Sequence, residues 1–185
     1  MLLPFLALLS ALIQAAVTPY QLTPIRLQAG TNPVPDIAGD GKGGSISLDW
    51  RENGNAWSYD IFMVRVGGSI ATIGGKDMLT DQPHTGEDTI RAVRFARGSY
   101  RGKTTTFALV ADRKIVEAVP DPAATTVTIW ALVANEEGLG TPYQFIQVGE
   151  RRATRRYCNA HMALSSELGF PLLQSHDGTC SPDGC

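Results

Sequence analysis

The sequence predicts an all-β fold, an antiparallel β-sandwich or partly open barrel, with one C-terminal helix. Three observations carry that expectation. Apolar and polar residues alternate in several stretches, most plainly Ile46, Leu48 and Trp50 between Ser45, Ser47 and Asp49. Clusters of Gly, Asn, Asp and Pro punctuate those stretches at turn-like intervals. After Arg156 the spacing changes: Cys158, Met162, Ala163, Leu164 and Leu168 fall at nearly helical intervals.

Taken in order, residues 17–35 hold Pro19, Pro24, Pro33 and Pro35, which suits an extended lead-in with one edge strand near Tyr20–Leu27. A glycine-rich acidic loop, Asp36-Ile-Ala-Gly-Asp40-Gly, precedes the Ser45–Trp50 strand. Asn53-Gly54-Asn55 supplies residues that tolerate positive φ, so Trp57–Val66 reads as the returning strand of a hairpin. Gly67–Gly86 is a long glycine-bearing connection, a kind of segment that is often functional or mobile. Further strands are expected over 88–97 (closed by Gly98), Thr104–Asp112, Ala124–Val133 and Tyr143–Val148. The helix that follows ends where Gly169 can act as a left-handed cap, with Pro171 beyond it. It is expected to cover one end of the β-structure.

The 185 residues, 43% hydrophobic, are enough for one core, and no change of composition divides residues 17–170. A net charge of -2 offers nothing to nucleic acid, and no basic helix points to a membrane surface. Residues 1–16 differ: an uncharged apolar run from Leu2 to Ile13 ends in Gln14-Ala15-Ala16. That length suits a secretory signal better than a bilayer span, although no basic residue precedes it. An uncleaved anchor or a buried helix is the alternative. Export makes the protein periplasmic or secreted and leaves residues 171–185 as a polar, cysteine-containing tail. Cys158, Cys180 and Cys185 then sit in an oxidising compartment, where Cys180–Cys185, Cys158–Cys180 and Cys158–Cys185 are all open pairings.

Motifs that carry chemistry are incomplete. A calcium loop needs six to eight oxygens, and here Asp36 and Asp40 stand without further carboxylates, Ala38 and Gly44 occupying the ligand positions. They are the metal candidates, fit for calcium no tighter than about millimolar. The simpler reading is a turn with two solvated aspartates. Gly102-Lys103-Thr104 lacks the first glycine of a phosphate loop, since position 97 is Arg97. No serine has lysine three residues on, and Gly67-Gly-Ser69-Ile-Ala71 is one glycine short of a nucleophile elbow. His84, His161 and His176 are scattered, so zinc is not expected. His84 with Glu87 and Asp88 is the one acid–base grouping. Glu150-Arg-Arg-Ala-Thr-Arg-Arg156 could grip a carboxylate, or simply protect an edge strand with charge. Trp50, Asn53, Asn55, Trp57 and Tyr59 combine flat rings with amide donors and acceptors and make the best ligand-contact set, although the rings could equally be core.

Several blocks, in order, resemble the carbapenem intrinsic-resistance family, the CarG-like or CpmJ-like proteins. They are the Asp-x-x-Gly-Asp-Gly loop at 36–41, Trp50-Arg-Glu-Asn-Gly-Asn-Ala56, Ala111-Asp-Arg113, Gly140-Thr-Pro-Tyr-Gln-Phe145 and Tyr157-Cys through Glu167-Leu-Gly169. The resemblance implies an exported protein that protects cells from a carbapenem by binding or shielding rather than by hydrolysis, with no cofactor. Its partners would be a β-lactam small molecule or a cell-envelope protein. Arg113, inside one matching block, joins the candidate ligand contacts, although Asp112-Arg113 alone reads as a local ion pair or turn. The alternatives are an envelope protein-interaction module and a periplasmic enzyme of unfamiliar type. Export itself is directly testable: mass spectrometry of periplasmic protein is expected to find a mature chain beginning at Ala16 or Val17. Retention of Met1–Ala15 would exclude cleavage.

Overall fold

The computed structural model describes residues 20–51, 59–84, 88–116 and 121–170. Residues 1–19, which include the expected export segment, residues 52–58 with Asn53, Asn55 and Trp57, Glu87, and residues 171–185 with Cys180, Cys185 and His176 lie outside them.

The most informative strand is β10, Lys103–Arg113, in which every residue from Thr105 to Ala111 is buried. A strand with that pattern needs cover on both faces. One face, carrying Val93 and Phe95 of β9 (Asp88–Tyr100), Ala108 and Val110 of β10 and Leu132 of β11 (Thr125–Ala134), meets a second sheet through Ile46, Phe62, Val64 and Val66. The other face presents Ala92, Ala96, Phe107, Leu109, Val127 and Ile129 to Ala160, Leu164 and Phe170 around α1, Ala160–Leu168. The architecture is therefore three layers: small sheet, large sheet, helix. The helix lies on the outer face of the large sheet rather than on one end of the sandwich, because that sheet has a second apolar face to bury.

The large sheet runs β1–β9–β10–β11–β12–β6, with β8 also on β9. Here β1 is Thr23–Ile25, β6 is Thr72–Ile73, β8 is Gln82–His84 and β12 is Tyr143–Arg152. All pairings in it are antiparallel except β12 with β6. The small sheet runs β2–β3–β4–β5, with β7 on β4. Its strands are Gly30–Val34, Gly44–Arg51, Tyr59–Val66, Ser69–Ile70 and, for β7, Leu79–Thr80. The sheets do not close into a barrel, so the sandwich alternative holds.

Three local readings change. The lead-in contains two strands, β1 and β2, placed in different sheets. The 67–86 connection folds into four short strands, β5 to β8, which pass the chain between sheets. Gly98 does not end its strand: β9 runs on to Tyr100 and turns through Arg101 and Gly102, both at positive φ, into β10. Glycine is required at 98 by close approach. A Cβ there would lie 2.7 Å from Leu22 Cδ2 and 2.8 Å from the Tyr20 carbonyl oxygen. The helix ends as expected, with Asn159 accepting from the His161 amide at its start and Gly169 left-handed at its end.

Gly98→Ala is expected to destabilise the protein by about 1–3 kcal/mol, the usual cost of overpacking, because a backbone oxygen cannot yield as a side chain does. Urea denaturation reads the loss, and a change within about 0.5 kcal/mol would show that the β1 lead-in moves aside freely.

Candidate functional site

The acidic loop is a turn with both aspartates exposed, and between them Ile37 and Ala38 plug the interior. Ile37 is fully buried and Ala38 nearly so. The Ile37 carbonyl accepts from the Thr106 amide at 3.1 Å, Thr106 Oγ1 at 2.8 Å and Arg97 at 2.8 Å. A Cβ on Gly39 would stand 2.4 Å from the Thr104 carbonyl oxygen, so the loop can lie this close only with glycine there. Asp36 accepts from the Gly41 amide, and Asp40 accepts from the Lys42 amide and the Tyr143 hydroxyl. Lys42 Nζ completes the chain by donating to Tyr143 Oη at 2.7 Å. The Tyr143 hydrogen bond holds the Asp40 carboxyl below its ordinary range, outweighing the opposing effect of desolvation. Both carboxylates thus serve the loop itself. Among the described residues no three His, Cys, Asp or Glu side chains group as metal ligands.

The aromatic set divides. Trp50, next to last in β3, has 59% of its surface exposed and lies one register step from Tyr59, which pairs with Arg51. Arg113 is buried, and its guanidinium donates to the carbonyls of Tyr157 and Asp121. It makes no pair with Asp112, because neighbours on a strand face opposite sides of the sheet. Arg151, from the basic run, holds a carboxylate of its own chain, Glu167 of α1, at 3.1 Å. Glu167 also accepts from the Thr154 amide and hydroxyl and the Tyr157 hydroxyl. Desolvation alone would raise the Glu167 pKa, and those donors together with Arg151 lower it instead. His84 ends β8 opposite Asp88 in the register, while Glu87 lies outside the described residues.

A second buried polar group joins β4, the β7–β8 junction, β9 and α1. The Asp60 amide donates to Asp81 Oδ1 at 2.7 Å. Burial, reinforced by the neighbouring Asp60 charge, pushes the Asp81 carboxyl up to about 7. Arg94 is buried between them and the helix, donating to the Val93 carbonyl and to His161 Nδ1, each at 2.8 Å. Its own pKa is drawn down to about 10 by burial, which leaves it cationic at neutral pH.

Among the described residues a concave surface lies elsewhere. It is a groove at the end of the large sheet where β9 begins and β10 finishes, marked by Arg91 and Asp112. The inner face of the sheet there forms its floor, and its volume is about 260 Å³. From the large sheet the floor takes Arg91 opposite Asp112, then Val110 opposite Thr128, then Trp130 one row further in. Arg91 Nε donates to Asp112 Oδ1 at 2.7 Å, both side chains being partly exposed. The wall is the segment 73–80, including Met78, Leu79 and Thr80. A tight turn shapes it: Ile73 and Lys76 exchange both backbone hydrogen bonds across Gly74 and Gly75, each at positive φ. Lys76 is thereby fixed at the lip. The result is a half-apolar, half-charged recess suited to holding an amphipathic small molecule. None of its residues belongs to the aromatic set expected from the sequence. Its traces were the Gly74-Gly75 pair in an unusually long connection and Asp112 in a resembling block.

The molecule is thus a two-sheet β-protein with a helix on its outer face and a mixed groove at one open end. The crystal structure of CarG shows the same fold, with a TM-score of 0.65 at 21% identity, covering 78% of this chain and 95% of that one. The fold therefore agrees with the family resemblance read in residues 36–170. No protein-family model and no curated protein matches the chain.

The raised Asp81 carboxyl predicts a pH dependence. A carboxyl whose pKa rises on folding favours the folded state below its unfolded value, near 3.9, and that contribution is lost as pH climbs towards about 7. Asp81→Asn keeps an acceptor for the Asp60 amide without the charge. The variant is expected to gain roughly 1–3 kcal/mol on wild type between pH 5 and 8 in denaturant titrations. A wild-type minus variant difference that stays constant with pH would exclude a raised Asp81.

Proposed function

We propose that the chain is an exported, non-catalytic protective protein of the carbapenem-resistance type, which acts by binding or shielding. The observation that carries this reading is the CarG fold, spanning 95% of that chain, on a sequence whose ordered blocks resemble the same family. The groove supports binding over turnover, since its ionisable groups, Arg91, Asp112 and Lys76, form an ion pair and a cation. That is recognition chemistry, without a nucleophile beside its base. Export is supported by the apolar run Leu2–Ile13 and by Cys158, a half-cystine for which Cys180 and Cys185 are the available partners.

An envelope protein-interaction module is the second reading, favoured by the exposed ring of Trp50 near the end of β3. The two separate in one experiment. The full chain, with its N-terminal segment, is expressed in a carbapenem-sensitive Gram-negative host, and susceptibility and drug concentration in the medium are followed together. Protection is expected with drug loss no faster than in the vector control. Accelerated loss would overturn the non-catalytic reading, and unchanged susceptibility despite verified export would overturn the protective one.

A further inference from the structure

We propose that the groove between the 73–80 wall and the floor of β9, β10 and β11 binds a neutral saccharide, one ring lying on Trp130 and a pair of neighbouring hydroxyls held by Asp112 and Arg91. A site of this kind goes beyond the protective reading and does not depend on it. The groove leaves hydrogen-bonding capacity unused. Arg91 meets Asp112 through Nε and Oδ1 alone, so its two terminal nitrogens and Asp112 Oδ2 make no hydrogen bond among the described residues. The hydroxyls of Thr128 on the floor and Thr80 on the wall make none either. All four residues are half-buried and line the same recess.

Those groups define what the ligand must offer. An anion would set like charge against Asp112, and a cation would do so against Arg91. Charge gives no preference of its own, because Lys76 adjoins Asp77 on the wall as Arg91 pairs with Asp112 on the floor. The partner that suits a spare acceptor beside spare donors is one that both donates and accepts, as a hydroxyl does. Of two neighbouring hydroxyls, one can donate to Asp112 Oδ2 while the other accepts from an Arg91 terminal nitrogen. An apolar ligand would displace water from four polar side chains and satisfy none of them.

The apolar part of the ligand is set by Trp130. Its indole is half-buried, packing against the inner core while also lining the groove, with the small Ala108 beside it on β10. A pyranose ring is the complement, a face of C–H groups within a rim of hydroxyls, and C–H groups are drawn to the negative face of an aromatic ring. Four residues of β10 separate the Asp112 row from the Trp130 row, about 13 Å at the rise of a strand, with Thr128 halfway. Polar groups thus run the length of the groove, on floor and wall alike. That suits hydroxyls around a rim rather than a planar base, whose donors and acceptors lie in the plane of its ring. The volume of about 260 Å³ is near the lower end of ligand pockets, so a disaccharide fills the groove and a longer chain projects from it.

The test uses purified exported protein and cellobiose, a neutral disaccharide, followed by proton–nitrogen NMR, with the Trp130 indole N–H assigned from its absence in Trp130→Leu. Cellobiose is expected to shift that signal and the amides of residues 73–80 with an affinity on the order of millimolar. Added salt should leave the affinity unchanged. Per-O-methyl cellobiose, which keeps the rings and loses every hydroxyl donor, should bind at least about tenfold more weakly. Asp112→Ala, at a partly exposed position, should weaken cellobiose by a similar factor. Trp130→Leu, read from the 73–80 amides, should weaken it roughly five- to tenfold. Cellotetraose distinguishes the source: tighter binding than cellobiose marks a glycan chain crossing the groove, and equal binding marks a small free saccharide. No shift at Trp130, equal binding of the per-O-methyl sugar, full binding by folded Asp112→Ala, or preference for adenine over cellobiose would each overturn the proposal. Cellobiose binding by a chain that gives no carbapenem protection would refute the protective function and leave this site standing. Protection by a chain on which no sugar moves Trp130 would refute the site alone.

Discussion

The structure depends on one constraint: β10 and its neighbours are apolar on both faces, so the large sheet needs two covers. Phe107, Leu109 and Ala111 on one side and Ala108 and Val110 on the other leave no face fit for water. The small sheet covers one side and α1 with the adjoining Phe170 covers the other. The alanines facing the helix, Ala92, Ala96 and Ala131, let it approach a surface that larger side chains would hold away. The same constraint explains why the 67–86 segment folds as it does. A chain that must build two sheets has to cross between them, and β5 to β8 are those crossings.

Burying both faces brings polar backbone and charged side chains into the interior, and each is matched locally. The Ile37 carbonyl receives three donors where the acidic loop enters the fold. Glu167 receives four donors from residues 151–157 and so fixes the chain leaving β12 to the helix. Asp81 and Arg94 are the costlier case, since each is driven by burial away from its charged form. Removing the Arg94 partner of such a group leaves Asp81 buried without its counter-charge, so that loss costs more than the pair contributes. The groove differs in kind: its charges lie at the surface, where they remain available to a solute.

Most of the strands and the helix were legible in the sequence, because period-two alternation, turn glycines and the Gly169 cap are local signals that survive tertiary context. β3, β4, β11 and α1 are of this type. The two-sided burial of β10 was less plain, since Thr104–Thr106 read as strand-forming residues of no particular face. Gly98 misled for a physical reason: glycine serves equally as a turn residue and as the residue that permits another backbone to come near, and only the position of Tyr20 and Leu22 distinguishes the two.

By itself the sequence determined an all-β chain with one late helix, and the ordered blocks that resemble the CarG family. It also determined that the familiar hydrolase and metal motifs are incomplete in this chain. Tertiary structure decided which side chains meet. The groove draws residues 73–80, 91, 110–112 and 128–130 together only through the registers of β9, β10 and β11. A register slip of one residue would turn Arg91, Asp112 and Trp130 to the helix side, so no local pattern could announce the site. The aromatic hairpin drew notice because its rings are adjacent in sequence, yet proximity along a chain says little about the concave surface of a sandwich. That surface forms where the 73–80 segment meets β9, β10 and β11, a property of their pairing and of no one stretch alone.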